Sequence, residues 1–166
     1  STFPTEDLSE GHALITDPTA RREQEKFLVF ASDRLDILKR VLAESGDLNH
    51  RAAAAYVIGY AENKQDVVAD LVNASLDPNL SVRTNATRAL SAIATLASAR
   101  PELGIEISSA PFIDMVNSVV YAERGMGVRV LRYLSAGRNP AVLAQIREGA
   151  LLSLVEMSGW SYSGHN

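Results

Sequence analysis

The feature that most constrains this chain is a unit in which a proline-containing turn precedes an amphipathic helix. The clearest copy spans residues 77–95 and opens with Asp77-Pro78, a pair that stops a preceding helix. Ser81 is the predicted N-cap of the next helix. Apolar residues then recur at helical spacing, at Val82, Ala86, Ala89, Leu90, Ile93 and Ala97. Most are small, so this helix is predicted to lie close against its neighbours.

Two weaker copies of the unit flank the central one. The apolar stripe is led by Arg83 in the central copy, by Arg51 32 residues earlier and by Arg124 41 residues later. A shorter apolar helix over residues 67–76 precedes the central stripe, so each unit is predicted to be an antiparallel helix pair. Repeats of this length and content are typical of a helical array. We therefore predict an all-α fold of about seven helices stacked as hairpins, with no sheet.

Length and composition set the outline of the chain. The 166 residues are predicted to form a repeat domain over 17–158, an extended N-terminal arm over 1–16 and a C-terminal tail over 159–166. The last pattern, residues 141–157, is interpreted as two helices hinged at Gly149. Without cysteine, disulfides and thiolate sites are excluded, and no apolar run reaches membrane-spanning length. The compartment is left open, with the cytoplasm favoured.

Several segments resemble armadillo and HEAT repeats. Asn139-Pro140, residues 146–151 and residues 154–155 are similar to the first two helices of an armadillo repeat, and residues 110–116 repeat the element less fully. The Asp-Pro, Val-Arg and Ala-Leu pattern within 77–93 resembles HEAT repeats equally well. The resemblance covers about residues 32–157 and implies a right-handed α-α superhelix of about three to four repeats. It also implies a concave groove used for scaffolding or peptide recognition.

The chain departs from the armadillo pattern on the helices that would line the groove. Armadillo peptide binders carry a recurrent asparagine there, and the matching positions hold Tyr60, Ala92 and Tyr133. The preceding groove tryptophan is replaced by Tyr56, Arg88 and Arg129. The resemblance therefore implies the fold, but not the importin-like way of holding an extended peptide backbone.

These replacements define a predicted groove column, in which Tyr56 and Tyr60 share a helix face because they are four residues apart. Its members are Tyr56, Tyr60, Arg88, Thr95, Arg129, Arg132 and Tyr133. Tyrosine and arginine are frequent at interaction hot spots. Stacked repeats would place Arg88 and Arg129 about 10 Å apart, as a short cationic strip for an acidic protein or peptide. The alternative is that the column consists of ordinary solvated side chains.

No catalytic centre, metal site or cofactor is predicted from the residues. The histidines, His12, His50 and His165, share no ligand spacing with one another or with nearby acids. The Gly-x-Gly of residues 125–127 follows no strand, so it is interpreted as a turn between helices rather than a phosphate loop. The serines form no nucleophile motif.

The three leading arginines, Arg51, Arg83 and Arg124, are predicted to be structural. In repeats of the resembled type, such an arginine reaches acids in the turns of its own or the adjacent unit. Asp47 and Asp77 are near enough in sequence to serve. Paired charges of this kind fix geometry more than they add stability.

The main function class predicted is a non-enzymatic protein- or peptide-binding scaffold. An enzyme on helical repeats, similar to alkylpurine DNA glycosylases or bilin lyases, is the alternative, and a piece of a longer array is a third possibility. A glycosylase needs a basic cleft with aromatic side chains. The acidic charge balance and the single Trp160 weigh against that enzyme, and the net charge of −4 weighs against nucleic-acid binding in general.

Overall fold

The computed structural model describes residues 5–160, and over this range the protein is predominantly helical. The helices are α1 (Pro18–Asp33), α2 (Leu35–Glu44), α3 (Leu48–Ile58), α4 (Gln65–Ala74), α5 (Leu80–Ala99), α6 (Ala110–Val116), α7 (Tyr121–Ala136) and α8 (Pro140–Ser158). A single 3-10 turn, Pro101–Leu103, follows α5. The all-α class is therefore confirmed. The predicted positions 1–4 and 161–166, which include His165, lie outside the described residues.

One small element departs from the helical pattern. Strands β1 (Glu6–Asp7) and β2 (Leu14–Ile15) pair antiparallel near the N-terminus, with Glu6 opposite Ile15. The expectation of no sheet is thus wrong for this two-stranded ladder. We call residues 5–16 the N-terminal hairpin. It stands where the sequence predicted an extended arm.

The chain divides into two compact units, the first ending at Ile107 and the second beginning at Ser108. The sequence predicts one repeat domain over 17–158. The first unit contains the N-terminal hairpin and α1 to α5. The second contains α6, α7 and α8.

Helices of the first unit pack as consecutive hairpins. Helix α2 packs on α3 and α4 packs on α5, while α3 also packs on α5 and α2 on α4. The stripe predicted from the sequence forms the core: its fully buried members include Val82, Ala86, Leu90 and Ile93. Gly59, just after α3, makes a very close approach possible, because a Cβ there would lie 2.7 Å from the Cβ of Ala89 on α5.

The turn before α5 is built differently from the sequence prediction. The N-cap is Asn79 rather than Ser81, and its side chain accepts hydrogen bonds from the amides of Ser81 and Val82. The Asp77 carboxylate accepts the Asn79 amide at 2.7 Å, which helps hold that residue extended. The prediction of Ser81 was wrong because the turn places the capping oxygen two residues earlier.

The leading arginines of the first unit bind this same turn. Arg51 on α3 forks onto the Asp77 carboxylate, with Nε at 2.8 Å and Nη2 at 3.2 Å, and its Nη1 donates to the Ser45 carbonyl. The Arg51 guanidinium holds the pKa of Asp77 below its usual range. Arg83 donates to the Asp77 carbonyl oxygen at 2.8 Å rather than to a carboxylate. Asp47 instead caps α3.

The second unit relies on two glycines where its helices cross. A Cβ on Gly127 of α7 would lie 2.6 Å from the Phe112 carbonyl oxygen of α6. A Cβ on Gly149 of α8 would lie 2.7 Å from the Ile113 side chain. Helix α8 is continuous through Gly149, so the predicted hinge is wrong. The glycine makes room for α6 instead of ending a helix.

Arg124 joins α7 to the end of α8. Its Nη2 donates to the Glu156 carboxylate at 2.8 Å, and its Cζ lies 4.7 Å from the centre of the Trp160 ring. Trp160 also stacks on Tyr121, with ring centres 5.4 Å apart. Trp160, assigned to the tail by the sequence, is therefore in contact with α7.

The small side chain at Ala86 is predicted to be essential for packing. Ala86 is completely buried in α5, so Ala86→Leu should overpack the core and lower the free energy of unfolding by about 1–3 kcal/mol. The matched control is Ala53→Leu, at an exposed position of α3. Denaturant titration of both variants measures the difference. Equal midpoints for the two variants would contradict the packing assignment.

Candidate partner-binding face

Helices α3 and α5 bring three of the predicted groove residues together. Tyr56 lies on α3 and Tyr60 in the turn after it, with ring centres 5.8 Å apart. Arg88 on α5 places its Cζ 5.0 Å from the centre of the Tyr56 ring, in a cation–π contact. We call Tyr56, Tyr60 and Arg88 the Tyr–Arg face. It combines a forked cation with two phenol rings, which suits carboxylates and backbone carbonyls.

The N-terminal hairpin covers this face. The Tyr60 hydroxyl donates to the Ala13 carbonyl oxygen at 2.7 Å, much closer than the 3.4 Å to the Tyr56 hydroxyl. Arg88 Nε donates to the Glu6 carboxylate at 2.8 Å. The gap left between hairpin and face has a volume of about 10 Å³, room for about one water molecule. The hairpin therefore leaves almost no open space on the Tyr–Arg face.

Further polar contacts tie the hairpin to the rest of the first unit. Gln24 of α1 bridges the two, because its Oε1 accepts the Ile15 amide at 2.7 Å and its Nε2 donates to the Tyr56 hydroxyl at 2.9 Å. Acidic side chains of the hairpin pair with arginines of the helical part, in the pairs Asp7–Arg21, Glu6–Arg88 and Glu10–Arg100. Ala13 and Leu14 are buried. These contacts explain why residues 5–16 are folded rather than extended.

A buried lysine lies under the hairpin. Lys64 donates to the carbonyl oxygens of Gly59 and Ala61, at 3.0 and 2.7 Å, and its Nζ is 3.3 Å from His12 Nδ1. Burial lowers the pKa of Lys64 to about 8. Burial and the Lys64 charge lower the pKa of His12 to about 4, against smaller opposing effects of Glu10 and Asp7. His12 is therefore neutral at pH 7, and Nδ1 is free to accept from Lys64.

The remaining members of the predicted groove column are Thr95 on α5 and three residues of the second unit. The Thr95 hydroxyl donates to the Ser91 carbonyl within α5, at 2.9 Å. Arg129, Arg132 and Tyr133 belong to α7 in the second unit. There Arg129 and Arg132 are exposed, and Arg132 Cζ lies 5.5 Å from the centre of the Tyr133 ring.

Sequence reasoning missed the residues that cover the face. Glu6, His12 and Ala13 were assigned to an extended arm, and the contact between Glu6 and Arg88 joins residues 82 positions apart. Periodicity carries no information over such a separation. One signal was present in the sequence: the segment before α1 holds Glu6, Asp7 and Glu10, the acidic chemistry predicted for a groove ligand.

Comparison of the chain with protein-family models and with curated proteins finds no match. Over residues 5–160, no group of three or more His, Asp or Glu side chains is placed to hold a metal ion. None of the helices in that range combines the length and apolar composition needed to cross a bilayer.

The neutral His12 makes the first unit sensitive to acid. Unfolded, its pKa is near 6.5, and in the folded protein it is about 4. Between these values the unfolded chain binds a proton that the folded protein does not, so the free energy of unfolding falls as pH falls through the window. Tyr60, Lys64, Glu10, Asp7 and Arg21 surround the imidazole.

We expect His12→Gln to remove about 1–2 kcal/mol of the stability difference between about pH 7 and pH 5. The measurement is urea unfolding at both pH values. His50→Gln, at an exposed position on α3, controls for loss of an imidazole. The Ser9 amide and hydroxyl lower the pKa of Asp7, so its contribution is lost below this window. An unchanged pH dependence in His12→Gln would refute the assignment.

Proposed function

We propose that this chain is a non-enzymatic protein-binding module of the armadillo/HEAT type, an α-solenoid of about three to four repeats. Its groove helices in the first unit are α3 and α5, and its ligand is an acidic segment of a partner protein. Packing in the first unit supports the repeat arrangement, since successive hairpins put α3 against α5 and α2 against α4. Equivalent helices stack in this way in helical arrays.

The observation that carries the proposal is the occupied Tyr–Arg face. It holds an acidic stretch of polypeptide through one carboxylate on Arg88 and one backbone carbonyl on Tyr60. Neither contact depends on the bound segment belonging to the same chain. A partner with a carboxylate and a free carbonyl at similar positions would meet the same donors.

In the second unit, helix α7 carries two arginines of the predicted column. Arg129 and Arg132 are both exposed. Arginine binds carboxylates through a planar fork. Contacts at exposed positions are screened by salt, so affinity should be modest and salt-sensitive.

The test is selection of random peptides displayed against the full chain. We expect the selected peptides to be rich in Asp and Glu, and their affinity to fall about tenfold or more in the double variant Arg129→Gln, Arg132→Gln. Fluorescence anisotropy at low and high salt measures the binding. Removal of two exposed charges should leave the fold intact, which circular dichroism checks.

The matched control is Arg40→Gln, which removes an exposed arginine from α2, outside the groove helices. Arg88→Gln tests the Tyr–Arg face, which the N-terminal hairpin covers, in the same assay. The proposal fails if neutral or basic peptides are selected. It also fails if Arg40→Gln abolishes binding while the groove variants bind as well as the wild type.

A further inference from the structure

We propose that the N-terminal hairpin is an exchangeable self-ligand, which a partner's acidic segment displaces from the Tyr–Arg face. This inference rests on the proposed function and names the regulation of the same site. In the closed state the hairpin covers the face, and in the open state the face is free. Because only the open state can bind a partner, the hairpin lowers the apparent affinity for that partner.

The hairpin is held in the closed state by ion pairs and a hydrogen bond as well as by a few buried side chains. Three carboxylates of the hairpin pair with three arginines, and the Glu6 and Glu10 side chains remain 41% and 55% exposed, whereas the Arg88 side chain is 19% exposed. The more exposed pairs, Asp7–Arg21 and Glu10–Arg100, each contribute little stability. Only a few hairpin positions, among them Gly11, Ala13 and Leu14, are buried. The carboxylate and carbonyl contacts with the face are therefore ones that another acidic segment can supply.

The hairpin also has little structure of its own. Its ladder joins two residues to two residues, and a two-stranded hairpin of this size is marginal in water. Closure therefore depends on the helices beneath it. Opening would also return Lys64 to solvent, because His12 and Gly11 lie against its side chain. Rehydration of that ammonium offsets part of the cost of opening.

Gly11 provides a way to disfavour closure selectively. Its φ is +74°, in the left-handed region, and a Cβ would lie 2.7 Å from Leu96 Cδ2 and 3.1 Å from Lys64 Cε. Gly11→Ala should therefore push the hairpin away from α5. Gly104 is the matched control, since its φ is +61° but a Cβ there would meet nothing within 4 Å. Both substitutions strain the backbone, and only the first opposes contact of the hairpin with Leu96 and Lys64.

The self-ligand defines the class of partner. Arg88 of the face binds the carboxylate of Glu6, and Tyr60 binds the backbone carbonyl of Ala13, seven residues later. The chain turns between these two residues. A glycine at the turn allows the close approach to Leu96. The partner is therefore an acidic, hairpin-forming segment with a small residue at its turn, and the peptide of residues 5–17 is its simplest representative.

The experiment measures binding of that labelled peptide, with its natural Gly11, to the full chain by fluorescence anisotropy. We expect the Gly11→Ala chain to bind it about tenfold or more tightly than the wild type, because its own hairpin no longer competes. Gly104→Ala should bind like the wild type. A peptide carrying Glu6→Lys should lose most of the affinity for the Gly11→Ala chain.

Binding by Gly11→Ala no tighter than by the wild type overturns the proposal. If that variant lacks a cooperative thermal transition, the Glu6→Lys chain takes its place, since it loses the contact to Arg88 and keeps Gly11. That chain should likewise bind the natural peptide more tightly, and equal binding overturns the proposal. The two proposals can fail separately. If this test fails but acidic peptides are still selected, and their binding still depends on Arg129 and Arg132, the proposed function stands.

Discussion

The close packing of α3 against α5 is the contact on which the first unit depends. The distance between two packed helices is set by the side chains at their crossing. Here Gly59 and Ala89 meet so closely that one extra methyl group does not fit, and Ala86 is buried on the same helix. This approach brings Tyr56 next to Arg88. A larger residue at the crossing would separate the members of the Tyr–Arg face.

Charge is distributed unevenly in the first unit. The chain is net negative, yet the acids of the N-terminal hairpin find arginines on α1, on α5 and directly after α5. The pairs of Arg21 and Arg100 are weak by themselves because they are solvated. The buried hydrogen bond from Tyr60 to the Ala13 carbonyl fixes the position of the segment, since a shift would leave a buried polar group unpaired. The arginines attract the acidic hairpin, and the Tyr60 hydrogen bond fixes its position on the helices.

The second unit also uses glycines where its helices cross, but the arginines of its predicted column are exposed. Gly127 and Gly149 allow α6 to approach α7 and α8, as Gly59 allows α3 to approach α5. The arginines of the predicted column are exposed on α7, whereas Arg88 on α5 is held by Glu6. The predicted groove column thus includes an arginine paired with a carboxylate in the first unit and exposed arginines in the second.

The helical class and the buried stripe of α5 followed from the sequence alone, because they depend on local periodicity. Val82, Ala86, Leu90 and Ile93 are buried as their spacing predicts. Tertiary structure decided what local pattern leaves open. The N-cap of α5 is Asn79 rather than the predicted Ser81 because of the geometry of the preceding turn. Helix α8 is continuous through Gly149, where the glycine makes room for α6. Residues 5–16 became a hairpin over the Tyr–Arg face because the arginines and tyrosines that bind it lie far along the chain, and only folding brings them together.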